Sequence, residues 1–430
     1  MKKIKKIKSG FIGRQIFAAK TLFKILPDLL PTKFKGPEQL IKKILGDNIQ
    51  PFIDEVSSLK GPALKAAQML TIYGEYYLPK EVNEILKQIQ ANSFYLDWHS
   101  LKKDIPEAIL LKFEIDESPM AAASIGQVHK AKNKLTGEIV AIKIQYPKID
   151  KAIDIDLNIL KRLLSLLRIL PGNLNLSKIF EEIKNKLIDE MNYKEEAKNQ
   201  HEYKLAAKDL TGVYVPQVFL KDCTSKILVQ EYIHGVLLSS EKVLERDQDY
   251  RNKIGIKIFQ LFFHEIYVMG LVQSDAHAGN YLVIEKEVGE ATVVLVDFGA
   301  CVHYSKKTLR PYLELIESVF NNDKIKYIKT FAKIEKESQG QYQIDRDLLF
   351  DYFKLCVSPL HSSDFDWGQT SLPDQVYQLG ISIFKNSKID NPPYQYIFID
   401  RKIAGVFSLL KMLRARFDVL AVVSPYFIKD

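Results

Sequence analysis

The chain has 430 residues, 47% of them apolar and 27% charged, a composition that suits a globular protein with more than one packed core. No stretch reaches 18 consecutive apolar residues, which excludes a spanning helix, and Cys223, Cys301 and Cys356 lie too far apart for a disulfide framework or a zinc site. The net charge of +8 is unevenly placed: residues 1–35 carry nine lysines and Arg14 against Asp28, so the other residues sum to about −1, and nucleic-acid binding is disfavoured.

In chain order, the basic arm comes first. Ile12, Ile16, Ala19, Phe23 and Leu26 share one helix face, with Arg14, Thr21 and Lys24 opposite and Pro27 limiting the helix. Such a helix can lie on an anionic membrane surface, dock on the domain behind it, or remain a solvated arm. Residues 36–110 read as short-looped helices. From about Leu110 the pattern changes to strands: a small-residue turn at Ala121-Ala122-Ala123-Ser124-Ile125-Gly126-Gln127, a hairpin turn at Leu135-Thr136-Gly137-Glu138, and an apolar strand over Ile139–Ile144. Helices are expected over Ala152–Leu170 and from Leu176 to about Lys208, then two strands, Val213–Leu220 and Lys226–Tyr232. After Gly235 the chain reads as helical apart from a short hairpin at Tyr281–Ile284 and Thr292–Asp297. Strands cluster in one region and helices in another, so the expected class is α+β. The expected divisions are an arm (1–35), a helical extension (36–110), a strand-rich lobe with a long helix (111–234) and a helical lobe (235–430).

The chemistry-bearing residues lie in two groups. Asp275-Ala276-His277-Ala278-Gly279-Asn280 places an aspartate five residues before an asparagine, and Val293–Val296 leads into Asp297-Phe298-Gly299. Phosphoryl transfer needs reactants held in line and negative charge neutralised, and an Asp, an Asn and a second Asp supply hard oxygen atoms suited to Mg²⁺. Lys143 ends the strand Val140-Ala141-Ile142, 16 residues after Gln127, where a kinase places the lysine that grips ATP phosphates. The long helix offers Glu190, Glu195 and Glu196 to orient it, and Gln230-Glu231-Tyr232-Ile233 is positioned as a hinge whose backbone meets adenine. His277 reads as a structural residue of its loop.

The Ala-rich turn with Val128 and His129, the run Val140–Pro147 and the loop Ser274–Asn280 together resemble the UbiB/AarF family of atypical kinases, which includes the mitochondrial coenzyme Q kinases. The resemblance covers residues 36–320 clearly and implies a two-lobed protein-kinase-like fold with a helical N-terminal extension. It implies ATP contacts from Ala121, Ala122, Ala123, Ser124, Gln127, Lys143, Glu231 and Ile233, with Glu196 as the partner of Lys143. Asp275 falls at the catalytic-base position, and Asn280 and Asp297 at the metal positions. A KxGQ motif that obstructs the substrate groove in that family corresponds to Lys65-Ala66-Ala67-Gln68, and its ExD motif to Glu190-Met191-Asn192.

Three positions depart from the family pattern: Ala67 replaces Gly, Asn192 replaces the second carboxylate, and the catalytic loop reads Asp275-Ala276-His277-Ala278-Gly279-Asn280. With no charge at Asn192, Lys65 is expected to lean towards Glu196, which a continuous helix would place on the Asn192 face, or towards the phosphates. The resulting expectation is an ATP- and Mg²⁺-dependent kinase or ATPase. The resemblance further implies work in isoprenoid-quinone lipid biosynthesis, at the inner face of a membrane, with quinone-biosynthesis enzymes as partners. A small-molecule kinase of the aminoglycoside or choline type would lack the Ala-rich turn and the Lys65–Gln68 helix. A non-catalytic nucleotide-sensing module would keep the ATP ligands without turnover.

Overall fold

The computed structural model describes residues 2–4, 65–66, 94–166, 176–287, 289–337, 342–386, 388–389 and 394–427. The amphipathic arm helix, most of the helical extension, Ala67 and Gln68 lie outside the described residues. The chain forms two compact units: 1–197 with 218–232, and 198–217 with 233–430. The class is α+β.

The first unit is built on an antiparallel sheet of Phe113–Ile115, Ala121–Ala122, Gly126–Asn133, Ile139–Gln145 and Ile227–Glu231. Its central strand, Ile139–Gln145, is paired on both sides, and Val140, Ile142 and Ile144 bury against Leu101, Ile109, Tyr193 and Val229. The turn before that strand is set by Asn133: its side-chain oxygen accepts from the Leu135 and Thr136 amides, and Gly137 supplies the positive φ of 75°. Gly126 is fixed by space, because a Cβ there would come within 2.5 Å of the Ile144 carbonyl oxygen.

Two expectations need correction. The helix predicted from Leu176 to about Lys208 is two helices, Leu176–Glu190 and Tyr193–Ala206, broken at Met191-Asn192. Asn192 causes the break: its carbonyl accepts from the Glu195 amide and its side-chain oxygen from the Lys194 amide, which is capping geometry. The strand expected over Val213–Leu220 contracts to Val213–Tyr214, because Pro216 has no N–H to continue a ladder and only an isolated bridge follows at Val218.

The second unit packs helices around a long central one, Gln248–His264, whose Phe259 and Phe262 bury with Trp367, Phe407 and Leu410. The expected hairpin is present as Tyr281–Glu287 and Glu290–Leu295, extended by Val236–Leu237 on one side and Val213–Tyr214 on the other. A second, two-stranded ladder joins Leu271–Gln273 to Cys301–His303, flanking the loops that carry the candidate residues. No disulfide involves Cys223, Cys301 or Cys356 among the described residues.

Candidate active site

In the first unit, ladder register decides which side chains share a face. Lys143 is opposite Val128 on one neighbouring strand and Leu228 on the other, whereas Gln127 is opposite Ile144. Successive strand residues point to opposite faces, so Gln127 and Lys143 point apart. Lys143 reaches Glu196 with both carboxylate oxygens in range, at 2.7 and 3.0 Å, and its ammonium lies 5.0 Å from the centre of the Tyr193 ring. Both partners are nearly enclosed, with side-chain exposures of 11% and 5%. Gln127 is corrected accordingly. Its amide is fully buried, accepting from the Leu96 amide at 2.9 Å and contacting His129 at 2.9 Å, so its side chain is part of the core instead of a nucleotide contact.

The Ala-rich segment forms a tight hairpin. Ala121 and Ala122 pair with Val128 and Gln127, and the Ala123 amide donates to the Gly126 carbonyl at 2.9 Å. Ser124 stands half-exposed near its tip. Glu231 ends the last strand of this sheet, opposite Val140, and the chain passes into the second unit at Ile233, whose carbonyl accepts from the Gly235 amide.

The Lys65 expectation is corrected as well. Its ammonium meets Glu190 at 2.8 Å, and both side chains are mostly buried, at 16% and 14% exposure. The helix break at Asn192 is the reason: Glu190 closes one helix while Glu196 lies in the first turn of the next, so they do not share a helix face. Lys65→Ala and Glu190→Gln are each expected to destabilise the chain, with a coupling of about 1 kcal/mol in a double-mutant cycle. Asn192→Asp, an equally good cap, should leave stability within about 0.5 kcal/mol. A cycle by chemical denaturation that couples positions 65 and 192, and not 65 and 190, would reverse this assignment.

In the second unit the hairpin register brings the two proposed metal positions together. Tyr281 is opposite Leu295, and the Val296 amide donates to the Asn280 carbonyl at 3.0 Å, which leaves Asp297 next in line. Phe298 is completely buried against Tyr203, ring centres 5.1 Å apart, and anchors the Asp-Phe-Gly turn while the Gly299 amide donates to Asp297 Oδ1. The Asn280 side-chain nitrogen is committed to Asp275, to its carbonyl at 2.9 Å and Oδ2 at 3.2 Å. The amide oxygen is thereby turned away from that contact and has no protein partner among the described residues. A carboxylate and an amide oxygen suit Mg²⁺, which keeps waters and takes further oxygens from phosphates. No cluster of three or more His, Cys, Asp or Glu side chains able to hold a metal occurs among the described residues. His277 stays local, its Nδ1 accepting from the Gly279 amide.

Sequence reasoning missed the helix Tyr394–Leu413 as part of this site. Arg401 Nη2 meets Asp275 Oδ1 at 2.6 Å. Lys402, 1% exposed, pairs with the fully buried Glu265 at 2.8 Å and donates to the Gln273 carbonyl at 2.8 Å. Asp400 accepts from the Tyr312 hydroxyl at 2.7 Å, and burial pushes its carboxyl up to about 6.

The profile of the ABC1 atypical kinase-like domain matches residues 98–331. The probable serine/threonine-protein kinase abkA of Dictyostelium discoideum is 28% identical over 86% of this chain and 69% of its own length. The mitochondrial atypical kinase coq-8 of Caenorhabditis elegans is 27% identical over 85% of this chain and 50% of its own. The mitochondrial atypical kinase COQ8 of Saccharomyces cerevisiae is 29% identical over 86% and 75%. The chain thus spans between half and three quarters of the length of these relatives. Among solved structures, Rv3197 of Mycobacterium tuberculosis, in complex with erythromycin, superposes with a TM-score of 0.56 at 22% identity, covering 92% of this chain and all of that one, a likeness of fold.

Proposed function

The chain belongs to the ABC1 atypical kinase-like family, and from that premise we propose that it is an ATP- and Mg²⁺-dependent kinase or ATPase of the UbiB type. The observation that carries the reading is the two-oxygen Lys143–Glu196 pair, a cation held ready by a nearly enclosed carboxylate. Lys143 would neutralise charge on the α- and β-phosphates, and the Ala121–Ser124 hairpin and the Glu231–Ile233 backbone would contact the nucleotide. Asn280, through its amide oxygen, and Asp297 would hold Mg²⁺, which supplies neutralisation of phosphate charge. Asp275, tethered by Asn280 and Arg401, would orient the attacking hydroxyl or water. Lys65 and Glu190 would hold the extension against the helix Leu176–Glu190 within the first unit, the regulatory contact to which Gln68 and Asn192 belong by sequence.

Resemblance to the UbiB/AarF family supports a role in isoprenoid-quinone biosynthesis at the inner face of a membrane, alongside enzymes of that pathway. No helix among the described residues is long and apolar enough to cross a membrane, so the proposed association is peripheral, through the basic residues of 1–35. Release of phosphate from Mg-ATP, measured with and without anionic vesicles, tests the reading. Turnover that needs Mg²⁺ and rises with vesicles is the expected result. Binding of Mg-ATP without any turnover would overturn it in favour of a nucleotide-sensing module.

A further inference from the structure

Helix Tyr394–Leu413 touches the Asp275 loop at three points, and it lies beyond residues 98–331 that the kinase-like domain accounts for. Arg401 takes one oxygen of Asp275 while Asn280 takes the other, so the carboxylate is tethered from two sides. Lys402, buried, fixes the Gln273 carbonyl two residues before Asp275. Gly405 is the third point: a Cβ there would stand 2.7 Å from the Ala276 Cβ and 2.9 Å from its carbonyl oxygen, so the loop residue after Asp275 rests directly on the helix backbone. Residues 401, 402 and 405 lie within about one turn, so a single rigid element sets the carboxylate, the strand end before it and the backbone after it.

We propose that Arg401 is a positioning residue for phosphoryl transfer, holding the Asp275 carboxylate in its reactive orientation and offsetting its repulsion from phosphate oxygens. The proposal rests on the kinase reading of Asp275. The ion pair is mostly buried, with side-chain exposures of 24% and 21%, so it is less screened than a surface pair. Only one of the three guanidinium nitrogens is engaged by a protein group among the described residues. Arg401 can therefore keep its grip on Asp275 while another of its N–H groups meets an anionic oxygen during the reaction. Because Arg401 engages the Asp275 carboxylate, and Lys402 and Gly405 meet the backbone on either side of it, their loss should act on the reacting geometry and spare ground-state nucleotide binding.

The test uses the full chain with Arg401→Ala, Arg401→Lys, Asp275→Asn and the Arg401→Ala/Asp275→Asn double variant. Arg401→Ala is expected to lower kcat by about 10–100-fold, while KM and the calorimetric Kd for Mg-ATP stay within about twofold. Arg401→Lys should recover part of that loss. In the Asp275→Asn background, adding Arg401→Ala should change kcat by less than about twofold, because the two act as one unit. Gly405→Ala, which pushes on Ala276 and leaves the ion pair's chemistry intact, should reproduce the kcat-only signature should Arg401→Ala fail to fold. A Kd that weakens in step with kcat, or equal losses from Arg401→Ala with and without Asp275, would overturn the proposal. If the parent chain binds Mg-ATP and never turns it over, the kinase reading fails instead. Thermal unfolding then decides the clamp alone: non-additive Tm shifts at 275 and 401 uphold it, and additive shifts overturn it.

Discussion

Asp297→Asn is expected to lower Mg²⁺-dependent ATP turnover by about 10²–10³-fold while moving the unfolding temperature by no more than a few degrees. The local architecture explains why the two effects separate. Phe298, wholly buried against Tyr203, holds the turn whatever stands at 297, and an asparagine oxygen can still accept from the Gly299 amide. What disappears is the negative charge, and a hard divalent cation with only one other proposed protein ligand, the Asn280 amide, has little to replace it. Both Asp297→Asn and Lys143→Ala should weaken Mg-ATP binding, but Lys143→Ala should behave differently in stability. Its removal leaves Glu196, 5% exposed, without its opposite charge, which costs roughly 2–4 kcal/mol. Adding Glu196→Gln should restore stability without restoring nucleotide affinity. Near-normal affinity by calorimetry in both Asp297→Asn and Lys143→Ala would sink the assignment of the site.

Residues that are legible in the sequence are those whose neighbours along the chain define them. Lys143 ends a β-branched run, Asp275 and Asn280 share one loop, and Asp297 precedes a buried aromatic and a glycine; each signal is local. The face on which Gln127 lies depends on its register with Ile144, which no local pattern states. The helix break at Asn192 is hidden because no Gly or Pro between residues 176 and 208 marks it, while the deciding event is one side chain capping the next helix. Pro216 was a visible stop signal within the strand expected over Val213–Leu220, and it outweighs the β-branched residues around it. Arg401 was out of reach altogether. It lies 126 residues from Asp275, and an arginine in an amphipathic helix reads as a solvated residue until packing turns it inward.

The largest loss of stability is expected at the same helix. Lys402→Met should cost about 3–5 kcal/mol, because it leaves the fully buried Glu265 carboxylate without its cation. Glu265 also accepts from the Tyr203 hydroxyl at 2.7 Å and the Gln273 amide at 2.9 Å, so it is tied to the helix Tyr193–Ala206 and to the strand end before Asp275. Those two donors stabilise a carboxylate, but neither carries charge, and solvent has no access to supply the remainder. Glu265→Gln added to Lys402→Met should recover much of the loss: the neutral amide oxygen still accepts from Tyr203 and Gln273, and no ion is left buried. The methionine, close to lysine in length, fills the space of the apolar stem. Urea unfolding of both variants checks the argument. A Lys402→Met chain within about 1 kcal/mol of the parent, or a double variant no better than the single, would show that the buried charge pair does not hold this element in place. The expected outcome makes one helix answer for two things at once, the register of the Asp275 loop through the Gln273 carbonyl and the integrity of the core behind it. Mutations that loosen it should therefore lower turnover before they unfold the protein, since the loop needs its position to within a fraction of an ångström and the core does not.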